Sequence, residues 1–461
     1  MNKILLSTIA LVALTNSCFA DDLSAKVDQL QKEVNDLKSQ KVETNKWIGD
    51  VETLASVGSK IRFGLDFDTK MDNFVNKTQD GKSYQDNNVF SNKLNLNIYA
   101  PISDDLKFTG RLTGYKYWAN SYVHPYSNYD SMQGRVPSDS SIYLERAYID
   151  WKAYNGDTPV ILTLGRQPSS EGLGTELSRD GVRGGTYSAL AFDGAADGIV
   201  ATVDISKYVD KTAFRLAYGK GYQTSNTNGM ASNAFSGTGQ GAIKDNQVVG
   251  AFIDTAFPIE NKSIVQLGYV KAIDISANSQ DTTNNVNIGD LSLYGVSAGV
   301  FDVSNFDFYA HLWFSEATPN GVMYNGPMGL QGLLTNTAGD TSTKHGYAIW
   351  LESRYKLPTT SKNYIGVEYN HGSENWLNMT QGSTDPINKL ATRGDAYEAY
   401  FIHEISRYAS FKVGAIVVND KYTGSGWQIG APMNVSDVPA PMSSGVVKQT
   451  IDYYAQFSVS F

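Results

Sequence analysis

Six basic side chains in the first half of the chain could sort solutes by charge. Five of them fall on the polar positions of alternating segments, and the sixth ends such a segment; they are Lys93, Lys107, Arg111, Arg146, Arg215 and, at the segment end, Arg166. The Gly-rich stretch 167–195 contains three acidic residues, Glu171, Glu176 and Asp180, and two more basic ones, Arg179 and Arg183. Acids facing a basic wall would set a field across an aqueous path. The sequence therefore predicts a pore with a narrowing loop; the alternative is ordinary solvated charges with the loop outside.

Motifs that enzymes use are present only in fragments. The run 295–299 matches G-x-S-x-G, but it lies inside an alternating segment rather than at a strand-to-helix turn. The run 237–241, Gly-Thr-Gly-Gln-Gly, lacks the flanking strand and helix of a phosphate site. The five histidines are scattered without ligand spacing. We therefore predict no catalytic residue, no cofactor and no metal site, and hence no enzyme.

The basic residues can share a wall only if their segments are strands. In 61–68, Ile61, Phe63, Leu65 and Phe67 alternate with polar residues, as a strand between two different environments requires. Similar segments recur along the chain, at 93–98, 106–113, 141–153, 159–166, 197–205, 212–222, 246–257, 263–273, 290–301, 306–316, 345–357, 363–371, 395–405, 409–418 and 449–461. The facing of 290–301 is ambiguous, because both of its parities contain apolar residues.

Short and long connections alternate between these segments. The short ones are turn-like, as at 101–105 and 154–158, and the long ones lie near 73–91, 118–139, 167–195, 223–245, 274–289, 317–344, 372–394 and 419–448. Outer-membrane barrels have short periplasmic turns, long external loops and an even strand number. The sequence therefore predicts an all-β fold, a transmembrane antiparallel barrel of about sixteen strands, which is wide enough for an aqueous channel.

The last segment carries a barrel-closing signal. Tyr453, Phe457, Val459 and Phe461 lie on one parity, opposite a polar face, and Phe461 is the final aromatic residue. This resembles the closing strand of bacterial outer-membrane barrels. A half-buried strand of a sandwich is the alternative.

The N-terminal region predicts export and assembly. Residues 1–20 have a lysine, an apolar run and Cys18-Phe19-Ala20, which indicates a signal peptide; a lipoprotein with Cys18 lipidated is the alternative. Residues 21–41 carry a heptad of apolar residues, which predicts a short coiled coil: Leu23, Val27, Leu30, Val34 and Leu37. A single unpaired helix is the alternative. Residues 42–59 would be a linker and 60–461 the barrel, with the coil and both termini periplasmic.

Composition narrows the partners. A net charge of −9 without a basic stripe argues against nucleic acid. The 28 tyrosines suit strands at a membrane interface. We therefore expect outer-membrane lipid, small hydrophilic solutes and further copies of the chain as partners, with a trimer favoured and the subunit number left open.

Four stretches carry a resemblance to a known family. They are 110–116, 146–151, 165–172 and 189–198, beginning Gly110-Arg-Leu, Arg146-Ala-Tyr, Gly165-Arg-Gln and Ala189-Leu-Ala. The chain resembles an uncharacterised family of exported proteins of Gram-negative bacteria that have a signal peptide, a short coil and a porin-like barrel. The resemblance covers essentially the whole chain and implies no substrate or catalytic residue.

Together these patterns predict a porin-like outer-membrane channel for the passive diffusion of small hydrophilic solutes. Two alternatives stay open at this point. One is a non-conducting barrel whose loops bind a ligand or a host surface, and the other is a substrate-specific uptake channel.

Overall fold

The computed structural model describes residues 31–32, 61–118, 141–175, 177, 184–222, 244–259, 262–277, 285–326, 328–359, 362–380, 385–439 and 442–461. The chain divides into the units Met1–Ile61 and Arg62–Phe461, and every described strand belongs to the second. The predicted signal peptide, linker and coiled-coil residues Leu23, Val27, Leu30, Val34 and Leu37 lie outside the described residues.

The second unit is built from strands joined by turns and loops. The first nine strands are β1 (Arg62–Thr78), β2 (Ser83–Pro101), β3 (Leu106–Tyr117), β4 (Ser141–Tyr154), β5 (Val160–Arg166), β6 (Asp197–Asp204), β7 (Ala213–Tyr222), β8 (Asn246–Thr255) and β9 (Ser263–Ser276). The others are β10 (Asn287–Val303), β11 (Phe306–Pro319), β12 (Tyr324–Gly326), β13 (Gly329–Gln331), β14 (Lys344–Lys356), β15 (Asn363–Gly372), β16 (Gly394–Ser406), β17 (Ala409–Asp420) and β18 (Val447–Ser460). Short 3₁₀ turns occupy Lys389–Ala391, Val435–Asp437 and Met442–Gly445.

The strands close into a single antiparallel barrel. Each strand pairs with its sequence neighbour except that β11 pairs with β14, and β18 closes the ring against β1. The hairpin β12–β13 is a separate two-stranded sheet within the loop after β11. The ring therefore has sixteen strands, which confirms the predicted fold class; closure also leaves no unpaired sheet edge.

One predicted loop is wrong. The sequence pattern placed a long loop at 73–91, whereas β1 and β2 pair almost throughout this range, from Asp72–Val89 to Lys77–Ser83. Only Gln79 to Lys82 connect the two strands. Most residues here are polar on both parities, so no alternation of apolar and polar residues reveals the two strands.

The outer surface of the ring is apolar and carries two rows of aromatic residues. Tyr269, Tyr294, Phe314 and Tyr347 are consecutive register partners on β9, β10, β11 and β14, and all four are 36–41% exposed. Phe306 and Phe308 form part of a second row nearer the short turns. Ala310 and Leu312 lie between the two rows on β11. An apolar band between aromatic girdles is the outer surface of a transmembrane barrel.

The start of β1 and the end of β18 lie at the end of the ring that has the short turns. The backbone N–H and carbonyl of Leu65 bond to the carbonyl and N–H of Phe461, at 2.8 and 2.9 Å. Ser460 N–H donates to the carbonyl of Tyr408, in the turn between β16 and β17. The long connections all leave the opposite end.

Within the described part of the chain, no helix has the length and apolarity needed to cross a membrane.

Candidate functional site

Five of the six predicted basic residues point into the barrel. They share the parity opposite to the exposed apolar side chains of their strands; the five are Lys93, Lys107, Arg111, Arg146 and Arg215. Lys107 and Arg215 line a cavity near the short turns, together with Tyr148 and Asp150, and Arg215 is ion-paired with Asp254. The other three lie further along the ring and converge on one place.

Arg166 is the sixth, and its predicted place in the pore wall is wrong. It follows Leu164, which is 36% exposed on the outer face of β5, at the same parity. Its guanidinium pairs with Asp197 at 2.7 Å, next to the exposed Ile199 of β6, and donates to the carbonyl of Leu144 at 2.9 Å. Gly165, which pairs with Gly198 of β6, takes the inward position just before the end of β5. The alternation thus continues to the end of the strand and turns Arg166 outward.

A bulge in β4 adds a carboxylate to this wall that the sequence reading missed. Arg111 pairs with Arg146 while Leu112 pairs with Leu144, so Glu145 is an extra residue in β4. Glu145 and Arg146 therefore both point inward, and they are 2% and 7% exposed. Two consecutive charged residues inside an alternating segment were the available signal for this bulge.

The stretch 167–195 meets this wall through Glu171. The carboxylate of Glu171 pairs with Lys93 of β2 and lies 3.3 Å from Nη1 of Arg111 on β3. Arg146 donates to the carbonyl of Ser170 at 2.8 Å. Glu171 has a left-handed backbone, with φ of 55°, and its N–H donates to the carboxylate of Asp193. Such backbone strain persists only where the surroundings hold it, and here three basic side chains do so.

The same loop crosses the barrel to the opposite wall. Gln266 of β9 donates to the carbonyl of Thr186 at 2.8 Å, and Arg354 of β14 donates to the carbonyl of Leu177 at 2.9 Å. Gly174, with φ of 107°, lies so close to Trp350 that a Cβ would clash with its ring. The described part of the loop therefore lies inside the ring, in contact with both sides.

Four of the five residues predicted to narrow the pore lie outside the described residues: Glu176, Arg179, Asp180 and Arg183. Glu171 is the described member. Its carboxylate touches the basic wall directly, so no aqueous gap separates this acid from the bases it was expected to face.

An apolar core fills the side of the lumen bounded by β8–β14. It joins inward side chains of the wall to loop residues, and its largest fully buried members are Trp313, Trp350, Trp376, Leu190, Ile288, Leu291, Leu293 and Leu333. The sequence analysis did not predict this core. It explains why the facing of 290–301 was ambiguous: Leu291 and Leu293 face buried loops, while Tyr294 faces outward.

A second charged cluster lies on the β15–β18 wall. Lys389, from the loop after β15, lies 2.6 Å from Glu368 and also pairs with Glu398. Lys412 of β17 lies 3.3 Å from Glu398, and the Tyr454 hydroxyl donates to the same carboxylate. Glu368 lies on the inward parity of β15, opposite to that of the exposed Ile365 and Val367. Glu398 and Lys412 share the inward parity of their strands, but Lys389 reaches the cluster from a loop, which alternation cannot predict.

Burial and charge act in opposite directions on Lys389. Burial disfavours its ammonium form, but the carboxylates of Glu368 and Glu398 outweigh this and raise its pKa above the ordinary lysine value. In Arg393, by contrast, burial lowers the pKa to about 10. The guanidinium of Arg393 donates to the carbonyls of Trp376, Thr423 and Trp427, which ties two long loops together.

A cavity separates the Glu171 cluster from the Lys389 cluster. With the open space at its mouth it measures about 1190 Å³. Its charged lining comprises seven carboxylates and four lysines, namely Asp68, Asp72, Glu171, Asp193, Glu368, Asp385, Glu398, Lys70, Lys93, Lys389 and Lys412. Carboxylates and ammonium groups can replace part of the water shell of an ion that moves along this lining. Because carboxylates outnumber lysines, the lining favours cations.

Ser297 and His311 are buried and belong to the packing, whereas the run 237–241 lies outside the described residues. Ser297, of the G-x-S-x-G run, accepts from Trp313 at 3.0 Å and lies 2.7 Å from Nδ1 of His311. His311 also contacts Ser188 of the crossing loop and lies 3.4 Å from Glu352. Ser297 and His311 are at most 1% exposed. In the described part of the chain, no group of three metal-ligating side chains comes together.

Comparisons with known proteins give the following results. The profile of a family described as "Protein of unknown function (DUF3373)" matches residues 83–461. Curated proteins give no match.

Several solved structures are similar. Salmonella typhi OmpF in complex with daunomycin is 12% identical, with a TM-score of 0.48 over 88% of this chain and 99% of that one. Pseudomonas putida OprB at high pH is 12% identical, with a TM-score of 0.49 over 90% and 97%. The trimer form of OmpT, an outer-membrane protein of Vibrio cholerae, is 12% identical, with a TM-score of 0.41 over 86% and 99%.

Proposed function

This chain belongs to the DUF3373 family of proteins of unknown function, and we propose that it is a porin-like channel of the Gram-negative outer membrane. Small hydrophilic solutes would diffuse through it passively. The observation that carries the proposal is the charged cavity between the Glu171 and Lys389 clusters, inside a ring whose outer surface is apolar.

The outer and inner surfaces of the ring support a membrane setting. An apolar band between two aromatic rows suits hydrocarbon with its two interfaces. Ionised residues face the interior instead, where paired partners and water offset their desolvation. The short turns and the described ends of β1 and β18 would face the periplasm, and the long loops would face outward.

Self-association belongs to the same proposal. The heptad at 21–41 favours a homo-oligomer, with a trimer as the favoured form. No catalytic role is proposed, and Ser297 and His311 are assigned to packing because they are at most 1% exposed.

A narrower, substrate-specific channel is the second candidate. The crossing loop and the apolar core occupy the β8–β14 side, so the cavity between the two charged clusters lies on the β15–β2 side. There the fixed charges are closely paired, as in Lys389 with Glu368 and Glu398. A path with paired charges at close range can discriminate among solutes more sharply than a wide one.

The test is single-channel recording in planar bilayers with purified protein. We expect steady openings with a cation preference, because acids outnumber bases in the cavity. Lys389→Gln should increase the cation-to-anion permeability ratio by about twofold to fivefold, the effect of one partly hydrated charge.

Lys207→Gln is the matched control, since Lys207 pairs with Asp157 in an exposed turn and should leave the ratio unchanged. Protein that inserts into the bilayer but stays electrically silent would end the channel proposal. Discrimination between solutes of equal size and charge would favour the second candidate over general diffusion.

A further inference from the structure

One carboxylate in the lining of the charged cavity differs from the other six in its exposure and its bonding. Five of the seven are at most 8% exposed, namely Asp72, Glu171, Asp193, Glu368 and Glu398. Asp68 and Asp385 are half-buried and more open to the cavity. An ion that moves through the cavity therefore contacts these two carboxylates most readily.

Asp385 is held by its own loop. Its two carboxylate oxygens accept the backbone N–H groups of Ile387 and Lys389, each at 3.0 Å. Asp68 of β1, by contrast, makes no hydrogen bond or ion pair with any residue that the structure describes. Of the seven carboxylates, Asp68 is therefore the one that can turn towards a passing ion without giving up a bond.

The crossing loop explains why Asp68 has no counter-charge. Asp68 is the register partner of Lys93 on β2, and the Cβ atoms of such partners lie roughly 4.5–5.5 Å apart, close enough for an ion pair. The ammonium of Lys93 pairs instead with Glu171 of the crossing loop. The next inward residue of β1, Lys70, pairs with Asp72 at 2.6 Å. Both neighbouring lysines are thus engaged elsewhere.

We infer that Asp68 is the residue that selects cations in this channel, and that Glu171 is a positioning residue that keeps Lys93 away from it. The inference rests on the proposed channel function and adds a class of solute, namely small cations and molecules with one ammonium group. Ser91 and Gln456, the neutral register partners of the next inward position, line the same cavity. A cation beside Asp68 can therefore keep part of its water shell.

The test is the cation-to-anion permeability ratio of the purified protein in planar bilayers, measured at about 0.1 M and about 1 M KCl. Asp68→Asn should lower the ratio about fivefold at the lower salt concentration, the effect of one charge at about 4 Å in water. At the higher concentration the change should be small, because the screening length falls to about 3 Å. A substitution that merely distorted the wall would change the ratio equally at both.

Chemical restoration of the charge locates the effect at this side chain. Cys18 is the sole cysteine of the sequence and lies in the predicted signal peptide, so Asp68→Cys gives the barrel a single thiol. Sulfonatoethyl methanethiosulfonate adds a negative charge to this thiol and should raise the lowered ratio about fivefold, whereas the trimethylammonium reagent should lower it further. Phe67→Cys is the matched control, because Phe67 shares the outward parity of the exposed Phe63. Neither reagent should change its ratio.

A second substitution tests the positioning role of Glu171. In Glu171→Gln, Lys93 loses its partner in the crossing loop and should turn to Asp68, which neutralises both charges. In this background Asp68→Asn should therefore change the ratio less than about twofold, instead of about fivefold.

Heat-modifiable migration on a gel checks that each variant forms the barrel. If Asp68→Asn opens normally and keeps its cation preference at low salt, the inference is overturned while the channel proposal stands. The same holds if neither reagent changes the ratio of Asp68→Cys. An undiminished effect of Asp68→Asn in the Glu171→Gln background overturns the role of Glu171. Unchanged protein that inserts but stays silent overturns both the inference and the channel proposal.

Discussion

The two sides of the lumen use the same strand pattern but face opposite environments. On β15–β18 and β1–β4 the inward residues include the lysines and carboxylates that line the charged cavity. On β8–β14 they include Trp313, Trp350 and Leu293, and loops cover them completely. Outside, both sides show the same exposed apolar surface. The inward residue types therefore decide where the loops fold.

Simple magnitudes explain this division. Covering a large apolar side chain stabilises the protein by roughly 1.5–3 kcal/mol, so a wall with several of them draws loops inward. Covering a charge with apolar loops costs several kcal/mol unless it is paired. The charged wall therefore stays hydrated, except where a loop supplies a partner. Glu171 does so for Lys93 and Arg111, and Lys389 does so for Glu368 and Glu398.

The largest expected effect comes from the apolar side. Trp376 is fully buried in the core and donates to the carbonyl of Leu390 at 3.0 Å. Trp376→Ala should lower the free energy of unfolding by about 3–5 kcal/mol, because it leaves a cavity and removes a buried hydrogen bond. Urea unfolding in lipid vesicles measures this.

Trp151→Ala is the control for that change, since Trp151 is 43% exposed on the outer face. Its loss should cost much less. Equal losses for the two variants would mean that the apolar side of the lumen contributes no more to stability than the outer surface does.

A smaller effect is expected at the junction of the two sides. Glu171→Gln keeps the shape of the side chain but removes the charge that pairs with Lys93 and Arg111. Glu145 remains 3.6 Å from Arg111 and partly compensates it. We expect a loss of about 2–3 kcal/mol in the free energy of unfolding, somewhat below that for a wholly buried pair.

The same substitution should shift the reversal potential towards anions, since the cavity loses a carboxylate. Asp157→Asn provides the control, because it breaks an exposed pair with Lys207. An unchanged reversal potential in Glu171→Gln would place the conducting path away from the crossing loop.

The smallest effect is expected on the outer surface. Arg166→Gln breaks a pair with Asp197 whose side chains are 34% and 57% exposed. Such a pair contributes at most about 1 kcal/mol. The reversal potential should not change, whereas Arg111→Gln should shift it towards cations. If the reversal potential shifted as much in Arg166→Gln as in Arg111→Gln, Arg166 would line the conducting path after all.

Alternation predicted every strand of the ring and the inward side of most of its charges. It failed where the strand is irregular, and where buried loops give the inner face of a strand an apolar environment like that of the outer face. The bulge in β4 turns both Glu145 and Arg146 inward. Both faces of β10 are apolar, because one packs against buried loops and the other lies on the outer surface of the ring. The loop end of the β1–β2 hairpin was not predicted as strand, because few residues on either of its faces are apolar.

The sequence by itself determined the barrel, because the period of two in a strand is local and repeats in every segment. Only the tertiary structure decided what lies inside. Lys93 and Glu171 are 78 residues apart, and Gln428 and Ala277 are 151 apart. Contacts at such separations depend on how the closed ring of strands brings loops together. A local pattern of apolar and polar residues cannot predict them, because it contains no information about residues far away in the sequence.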